Sequence, residues 1–280
     1  MVVLRAIRNL NHLKIHASDG EIGQVEDCFL DDSRWTVRYL VVRAGSWLTG
    51  KLCLISPISV RSVDWQGEQV VVDLTQEQVR KSPDIDVDKP VSRQKEIQYF
   101  AYYRWPYYWT GAGIWGIGPY PSALGRTYPM GVPSASYLES NSFHPEEGEV
   151  QEELEQSKGD PHLRSMRELI GYRISAEDQV FGHVENLIFD DETWTIRYLV
   201  VDIKNWWPSK SVLLAPDWVK SISWLDREIH VDLTAKKIRN SPEFRPHQPI
   251  QRDYEERLYD YYGRKKYWED VIQHPGRYVV

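Results

Sequence analysis

Hydrophobic residues in this chain come in short runs rich in β-branched and aromatic side chains, separated by small polar clusters. Gln24 to Leu30 and Thr36 to Arg43 are two such runs, and both are predicted strands. Between them stand Asp31-Asp32-Ser33-Arg34, whose short polar side chains suit a tight turn, so the pair reads as a hairpin. Leu52 to Ile55, Val60 to Trp65 and Gln69 to Leu74 are three more predicted strands, punctuated by Pro57 and Gly67. Several short strands with turn signals between them indicate a small barrel or sandwich. Thr75 with Gln78 three residues later reads as a capping box that opens one helical turn, stopped at Ser82-Pro83. A second helix is predicted from Ser92 to Tyr103.

The whole pattern then recurs. Gly182 follows Gly23 at an offset of 159 positions, and the same offset carries Asp31-Asp32 onto Asp190-Asp191 and Trp35 onto Trp194. It also carries Arg38-Tyr39-Leu40-Val41-Val42 onto Arg197-Tyr198-Leu199-Val200-Val201, and Val72-Asp73-Leu74-Thr75 onto Val231-Asp232-Leu233-Thr234. The match runs without a gap from Arg5 to Trp109 and from Arg164 to Trp268, so the chain is a duplication. In the second copy the strands fall at Val212 to Leu214, Val219 to Trp224 and Glu228 to Leu233. Its helix falls at Gln251 to Tyr262, where Gly263 fits the left-handed residue that ends helices. The expected organisation is a mainly β chain of two small antiparallel barrels, each with a short helical aromatic tail. Residues 1–109 and 161–268 form the two units, 110–160 a flexible linker and 269–280 a C-terminal tail. Thr110 to Ser142 is dense in Gly, Pro and Ser, and neither it nor the acidic run behind it has a hydrophobic period that would order the backbone.

In Val37-Arg38-Tyr39-Leu40-Val41-Val42 both alternating faces are apolar apart from Arg38, and Ile196 to Val201 repeats this. A strand with one wet face would alternate with polar residues, so this one is expected to be covered on both sides. The barrel interior covers one face, and either the aromatic helix or the second barrel covers the other. A pairing of the two barrels as an intramolecular pseudo-dimer follows as an expectation.

Charge narrows the range of partners. The net charge is −7, and between Asn141 and Asp160 stand Glu146, Glu147, Glu149, Glu152, Glu153, Glu155 and Asp160 against the single Lys158. The remainder is nearly neutral and lacks the clustered Lys and Arg that nucleic-acid binding needs. No apolar run reaches membrane-spanning length, and Met1 to Leu10 lacks the apolar stretch of a secretory signal, so a cytoplasmic protein is expected. Peripheral membrane association stays open. The two cysteines, Cys28 and Cys53, match Leu187 and Val212 in the other copy and read as small core hydrophobes.

These residues resemble a known family. Ile22-Gly23-Gln24-Val25-Glu26 leading to Arg38-Tyr39-Leu40-Val41-Val42 is similar to the PRC-barrel domain, as is Phe181-Gly182-His183-Val184-Glu185 leading to Arg197-Tyr198-Leu199-Val200-Val201-Asp202. The endings Ser241-Pro242, Pro249-Ile250, Tyr261-Tyr262-Gly263 and Tyr267-Trp268 resemble bacterial members. The family takes its name from the cytoplasmic part of the photosynthetic reaction centre H subunit, and a related barrel ends a ribosome maturation factor. The resemblance implies an assembly or adaptor module with no catalytic chemistry of its own, and a photosynthetic or stress-related assembly only as a family label. Unlike the reaction-centre subunit, this sequence has no spanning helix before its barrels. Where the maturation factor carries an RNA-processing domain, a second barrel stands here.

Candidate chemistry is sparse. Asp31-Asp32 and Asp190-Asp191 lack the further oxygen ligands a hard cation needs and read as turn residues. No two pairs of the eight histidines are placed alike in the two copies, so no duplicated metal site is expected. No nucleophile and base recur, and Gly111 to Gly118 precedes no Lys-Ser/Thr that would make a phosphate loop. Glu26 with Arg38, and Glu185 with Arg197, are expected as cross-strand ion pairs. The aromatic tail, Tyr99 to Trp109, reads either as a helix laid on the barrel edge or as a partner-binding patch. The candidate interface or partner-binding residues are Tyr39, Val41, Tyr102, Tyr103 and Trp109 with Tyr198, Val200, Tyr261, Tyr262 and Trp268. The expected function is a non-catalytic adaptor that uses no cofactor and binds a protein partner. The alternative is a small-ligand sensor with a site between the barrels.

Overall fold

The computed structural model of the protein describes residues 3–45, 50–83, 85, 91–111, 113–116, 118–122, 124, 163–203, 210–246 and 248–269. They gather into two compact units, one within Leu10–Ser165 and the other joining Met1–Asn9 to Met166–Pro275. The first repeat supplies β1 (Leu4–Ala6), β2 (Lys14–Ala17), β3 (Gly20–Asp31), β4 (Thr36–Ala44), β5 (Lys51–Ile55), β6 (Val60–Asp64), β7 (Gln69–Val72), α1 (Gln76–Arg80) and α2 (Arg93–Tyr103). The second supplies β8 (Leu163–Ser165), α3 (Met166–Leu169), β9 (Arg173–Ser175), β10 (Val180–Asp190), β11 (Ile196–Asp202), β12 (Ser211–Leu214), β13 (Val219–Ser223), β14 (Glu228–Val231), α4 (Ala235–Arg239) and α5 (Arg252–Tyr262).

Each unit is built on one seven-stranded sheet, ordered β5-β4-β3-β2-β7-β6 in one and β12-β11-β10-β9-β14-β13 in the other. The registers match as well as the orders. Leu40 faces Ile55 and Leu199 faces Leu214 at the repeat offset, and a bulge interrupts β3 at Val25/Asp27 and β10 at Val184/Asn186. The sheets are mixed, because β2–β7 and β9–β14 are parallel pairs where antiparallel strands alone were expected. In the first repeat the chain passes from β5 to β6 through a 3-10 turn, Pro57–Ser59, and not through a hairpin. That leaves β7 to run beside β2 in the same direction. Alternation of side chains carries no information about this direction.

The glycine shared by the two family-like motifs has a steric cause. A Cβ on Gly182 would stand 2.7 Å from the carbonyl oxygen of Asp202, at a φ of +74°. On Gly23 it would stand 1.8 Å from the carbonyl oxygen of Arg43. The strand backbones approach too closely at both points for any side chain.

The capping box is present: Thr75 Oγ1 accepts from the Gln78 N–H, and Gln78 Oε1 accepts from the Thr75 N–H at 2.8 Å. Helices α2 and α5 occupy the expected places, and α5 ends on Gly263 with φ 66°. Strand β4 is buried at every position from Thr36 to Val42, as a strand covered on both faces should be.

The expected linker is corrected at its start. Within 110–124, Trp115 is fully buried and Leu124 is buried, so this stretch is packed against its unit. Gly113 and Gly116 form a narrow turn in which the Gly113 N–H donates to the Gly116 carbonyl at 2.7 Å. Low hydrophobic periodicity hid a segment that one large ring anchors. Residues 125–160 and the tail from 270 onwards lie outside the described residues. Cys28 and Cys53 are buried free thiols.

Candidate functional site

Arg38 and Glu26 do not pair. The hairpin places Asp31 opposite Thr36 and Phe29 opposite Tyr39, so Arg38 lies near the turn, while Glu26 lies at the bulge farther along β3. Glu26 instead accepts from Arg43 Nε at 3.0 Å, and Arg38 donates from Nε and Nη2 to Asp31 Oδ2 at 3.2 and 3.0 Å. In the second repeat Arg197 Nη2 donates to Asp190 Oδ2 at 2.9 Å, and Glu185 accepts from the Ser211 hydroxyl. The turn reading holds for Asp31, which accepts from the backbone N–H groups of Ser33 and Arg34, and for Asp190, which accepts from those of Glu192 and Thr193, whereas Asp191 accepts from Arg5 and the Val3 N–H.

Helix α2 itself carries a buried carboxylate, Glu96, bonded to β4. Tyr39 and Tyr108 donate their hydroxyls to Glu96 Oε1 at 2.9 and 2.6 Å, and Arg93 Nη1 reaches Glu96 Oε2 at 2.7 Å. The Arg93 guanidinium lies over the Trp109 ring, 4.2 Å from its centroid. The second repeat reproduces each element. Tyr198 and Tyr267 donate to Glu255 Oε1 at 2.7 and 2.9 Å, Arg252 meets Glu255 Oε2 at 2.9 Å, and Arg252 stacks 4.1 Å from the Trp268 centroid.

Burial pushes the Glu96 carboxyl above its ordinary range, against the pull of Arg93 and the two hydroxyls, and burial does the same to Glu255. The phenols of Tyr39, Tyr108 and Tyr198 are pushed well up by burial and by the neighbouring charge network. Such an arrangement binds a helix to a sheet through three donors converging on one carboxyl. Glu96 and Glu255 are each 2% exposed, so neither carboxyl is open to solvent.

Of the candidate residues, Tyr39, Val41, Tyr103, Tyr198, Val200 and Tyr262 are buried within the chain. Trp109 and Trp268 are half-buried over their arginines. Tyr102 and Tyr261 alone among the ten are exposed, at 38% and 37%. Their hydroxyls are fixed on the carbonyls of Gln78 and Lys237, both at 2.8 Å. The aromatic tail is therefore chiefly a helix laid on the sheet. Tyr103 stacks on Trp105 with centroids 4.3 Å apart, while its match Tyr262 meets Trp218 at 4.5 Å. Trp218 matches Ser59 and Trp105 matches Arg264, so a ring from a different element contacts the matched tyrosine in each repeat.

Glu96, Arg93 and their matches Glu255 and Arg252 were absent from the sequence expectation. The signal existed, since Arg and Glu at i, i+3 are the only charged positions that the repeat offset keeps in both helices.

The first repeat carries one further layer. Arg38 Nη1 donates to the Ile114 carbonyl at 2.7 Å, and its guanidinium lies 3.9 and 4.7 Å from the ring centroids of Tyr108 and Trp115. The Arg197 guanidinium lies 4.3 Å from the Tyr267 centroid. Positions that would match the Trp115 segment run past Glu269, outside the described residues.

Residues 162–238 match the PRC-barrel domain family. The PRC-barrel match covers the sheet of the second repeat as far as α4, and the sheet of the first repeat shares its strand order. No curated protein matches the sequence. Among the described residues no helix is long and apolar enough to cross a membrane, and no three His, Cys, Asp or Glu side chains are grouped to hold a metal ion. A groove of about 440 Å³ in the second repeat, lined by Glu243, Phe244, Arg245, Tyr254 and Arg257 among others, contains none of the candidate residues.

Proposed function

We propose that the protein is a tandem PRC-barrel adaptor, non-catalytic, in which each repeat presents the same surface to a macromolecular partner. The observation that carries this reading is the matched pair Tyr102 and Tyr261. Each is a large ring exposed at the same point of its unit, with its hydroxyl fixed on a backbone carbonyl. Each stands edge-on to a buried tyrosine, Tyr103 or Tyr262, at 4.9 and 5.1 Å. A ring held in one orientation loses little entropy when a partner covers it, which suits it to recognition. The buried carboxyls and arginines kept by both repeats support the same reading, because they join helix to sheet and leave the outer surface to function.

The test is affinity capture from the native cell with wild type beside Tyr102→Ala/Tyr261→Ala, analysed by mass spectrometry. A macromolecule retained by wild type and lost from the double variant, with both proteins equally folded, supports the adaptor. Equal retention by both removes the tyrosine surface from the reading. A small molecule retained through native mass spectrometry favours a ligand sensor instead.

A further inference from the structure

Each unit completes its sheet with a strand from the other repeat. β1 belongs to the first repeat and pairs antiparallel with β10, setting Leu4 opposite Asp190, Arg5 opposite Phe189 and Ala6 opposite Ile188. β8 belongs to the second repeat and pairs with β3, setting Leu163 opposite Asp31, Arg164 opposite Leu30 and Ser165 opposite Phe29. The repeat offset carries one set of partners onto the other without a shift. The same short strand, Leu-Arg followed by a small residue, thus fills the same place twice. Side chains secure it. Arg5 Nε donates to Asp191 Oδ2 at 2.8 Å, Asp191 Oδ1 accepts from the Val3 N–H at 3.1 Å, and Ser165 Oγ donates to Asp27. The Val91 N–H adds a bond to the Leu163 carbonyl at 3.3 Å.

Leu124 and Leu163, the described residues flanking 125–162, lie in the same unit. The chain passes from unit to unit at Asn9–Leu10 and at Ser165–Met166, beside the traded strands. Without a partner strand, the edges of β3 at Phe29–Asp31 and of β10 at Ile188–Asp190 would carry unpaired backbone groups.

We infer that the traded strands, and not the covalent connection through 125–162, hold the two repeats together, and that the partner this strand site fits is a second copy of the chain. The first repeat of one copy pairs with the second repeat of another. The hydrogen bonds are the same whether the partner repeat is in the same chain or in another, so the concentration of chains sets the balance against the effective concentration within one. This stands independently of the adaptor reading.

Complementary charge reversal tests it on the full chain. In Arg5→Glu the strand and its site in the same chain are both acidic at this point, and in Asp191→Arg both are basic. When the two chains trade repeats, the acidic strand meets the basic site and native Arg5 meets native Asp191. After co-refolding with one chain isotope-labelled, native mass spectrometry should find a mixed dimer exceeding either self-dimer by on the order of tenfold. Arg5→Glu/Asp191→Arg in one chain should return to the wild-type state. Two separate folded monomers in the mixture would overturn the inference.

A second measurement does not depend on the variants folding. A protease site placed within 141–160 is cut to completion, and labelled and unlabelled cut proteins are mixed in mild denaturant and returned to buffer. Hybrids of labelled and unlabelled halves are expected, and halves that separate on cleavage would overturn the inference.

Discussion

Tyr39 donates its phenolic proton to Glu96 across 2.9 Å, joining strand β4, buried from Thr36 to Val42, to the helix that covers it. Tyr198 and Glu255 repeat the bond in the second copy at 2.7 Å. Duplicated buried carboxyls of this kind make stability depend on pH in a predictable direction.

Burial raises the Glu96 carboxyl above its ordinary 4.5, and burial raises Glu255 likewise. The folded protein thus keeps protons that the unfolded chain releases. The contribution of these groups is full below about pH 4.5 and is lost as pH rises through their folded values. Urea unfolding of Glu96→Gln/Glu255→Gln should show that loss abolished above about pH 4.5, beside a general cost of about 1–3 kcal/mol per site from weakened bonds to the tyrosines and arginine. An unchanged pH slope would contradict it.

Asp31 has the opposite sign. Burial works against its charge, but Arg38 and the bonds from Ser33 and Arg34 outweigh burial and hold the carboxyl below its ordinary 3.8. Its contribution is present above pH 3.8 and is lost as pH falls through the folded value. Arg38→Leu, which strips the buried aspartate of its cation, should cost about 3–5 kcal/mol at neutral pH. Arg197→Leu should cost less, because the Arg197 side chain is 11% exposed where that of Arg38 is fully buried. Paired denaturation curves decide the order.

Trp115→Ala should release the segment that covers Arg38. Removing a fully buried indole costs about 3–5 kcal/mol, and amide exchange at Gly113, Trp115 and Gly118 should accelerate by orders of magnitude. Slow exchange retained there would show that the backbone bonds alone hold the turn.

Two residues of the first repeat occupy left-handed positions that glycine fills in the second. His12 has φ 69° where Gly171 has 87°, and Arg104 has φ 58° where Gly263 has 66°. Both side chains are exposed, so little packing is lost on removing them. His12→Gly and Arg104→Gly should each stabilise the protein by up to about 1 kcal/mol, read as a higher urea midpoint. Gly171→His should do the reverse.

The sequence alone makes the duplication, the main strands, the α1 capping box and both long helices legible. These rest on local periods, turn chemistry and a repeat offset, all of which are written in neighbouring residues. It also made the coverage of both faces of β4 legible, since Val37 to Val42 leave no wet side. Tertiary structure alone decided the rest. β1 and β8 are three residues long, too short to show a period, and only their partners make them strands. The parallel β2–β7 pair depends on how the chain turns at Pro57–Ser59. Arg38 chose Asp31 over Glu26 because register and a bulge set distances that sequence spacing does not contain. Trp115 docks although its surroundings read as a tether, because one ring held by an arginine and a tyrosine can order a segment that has no periodicity.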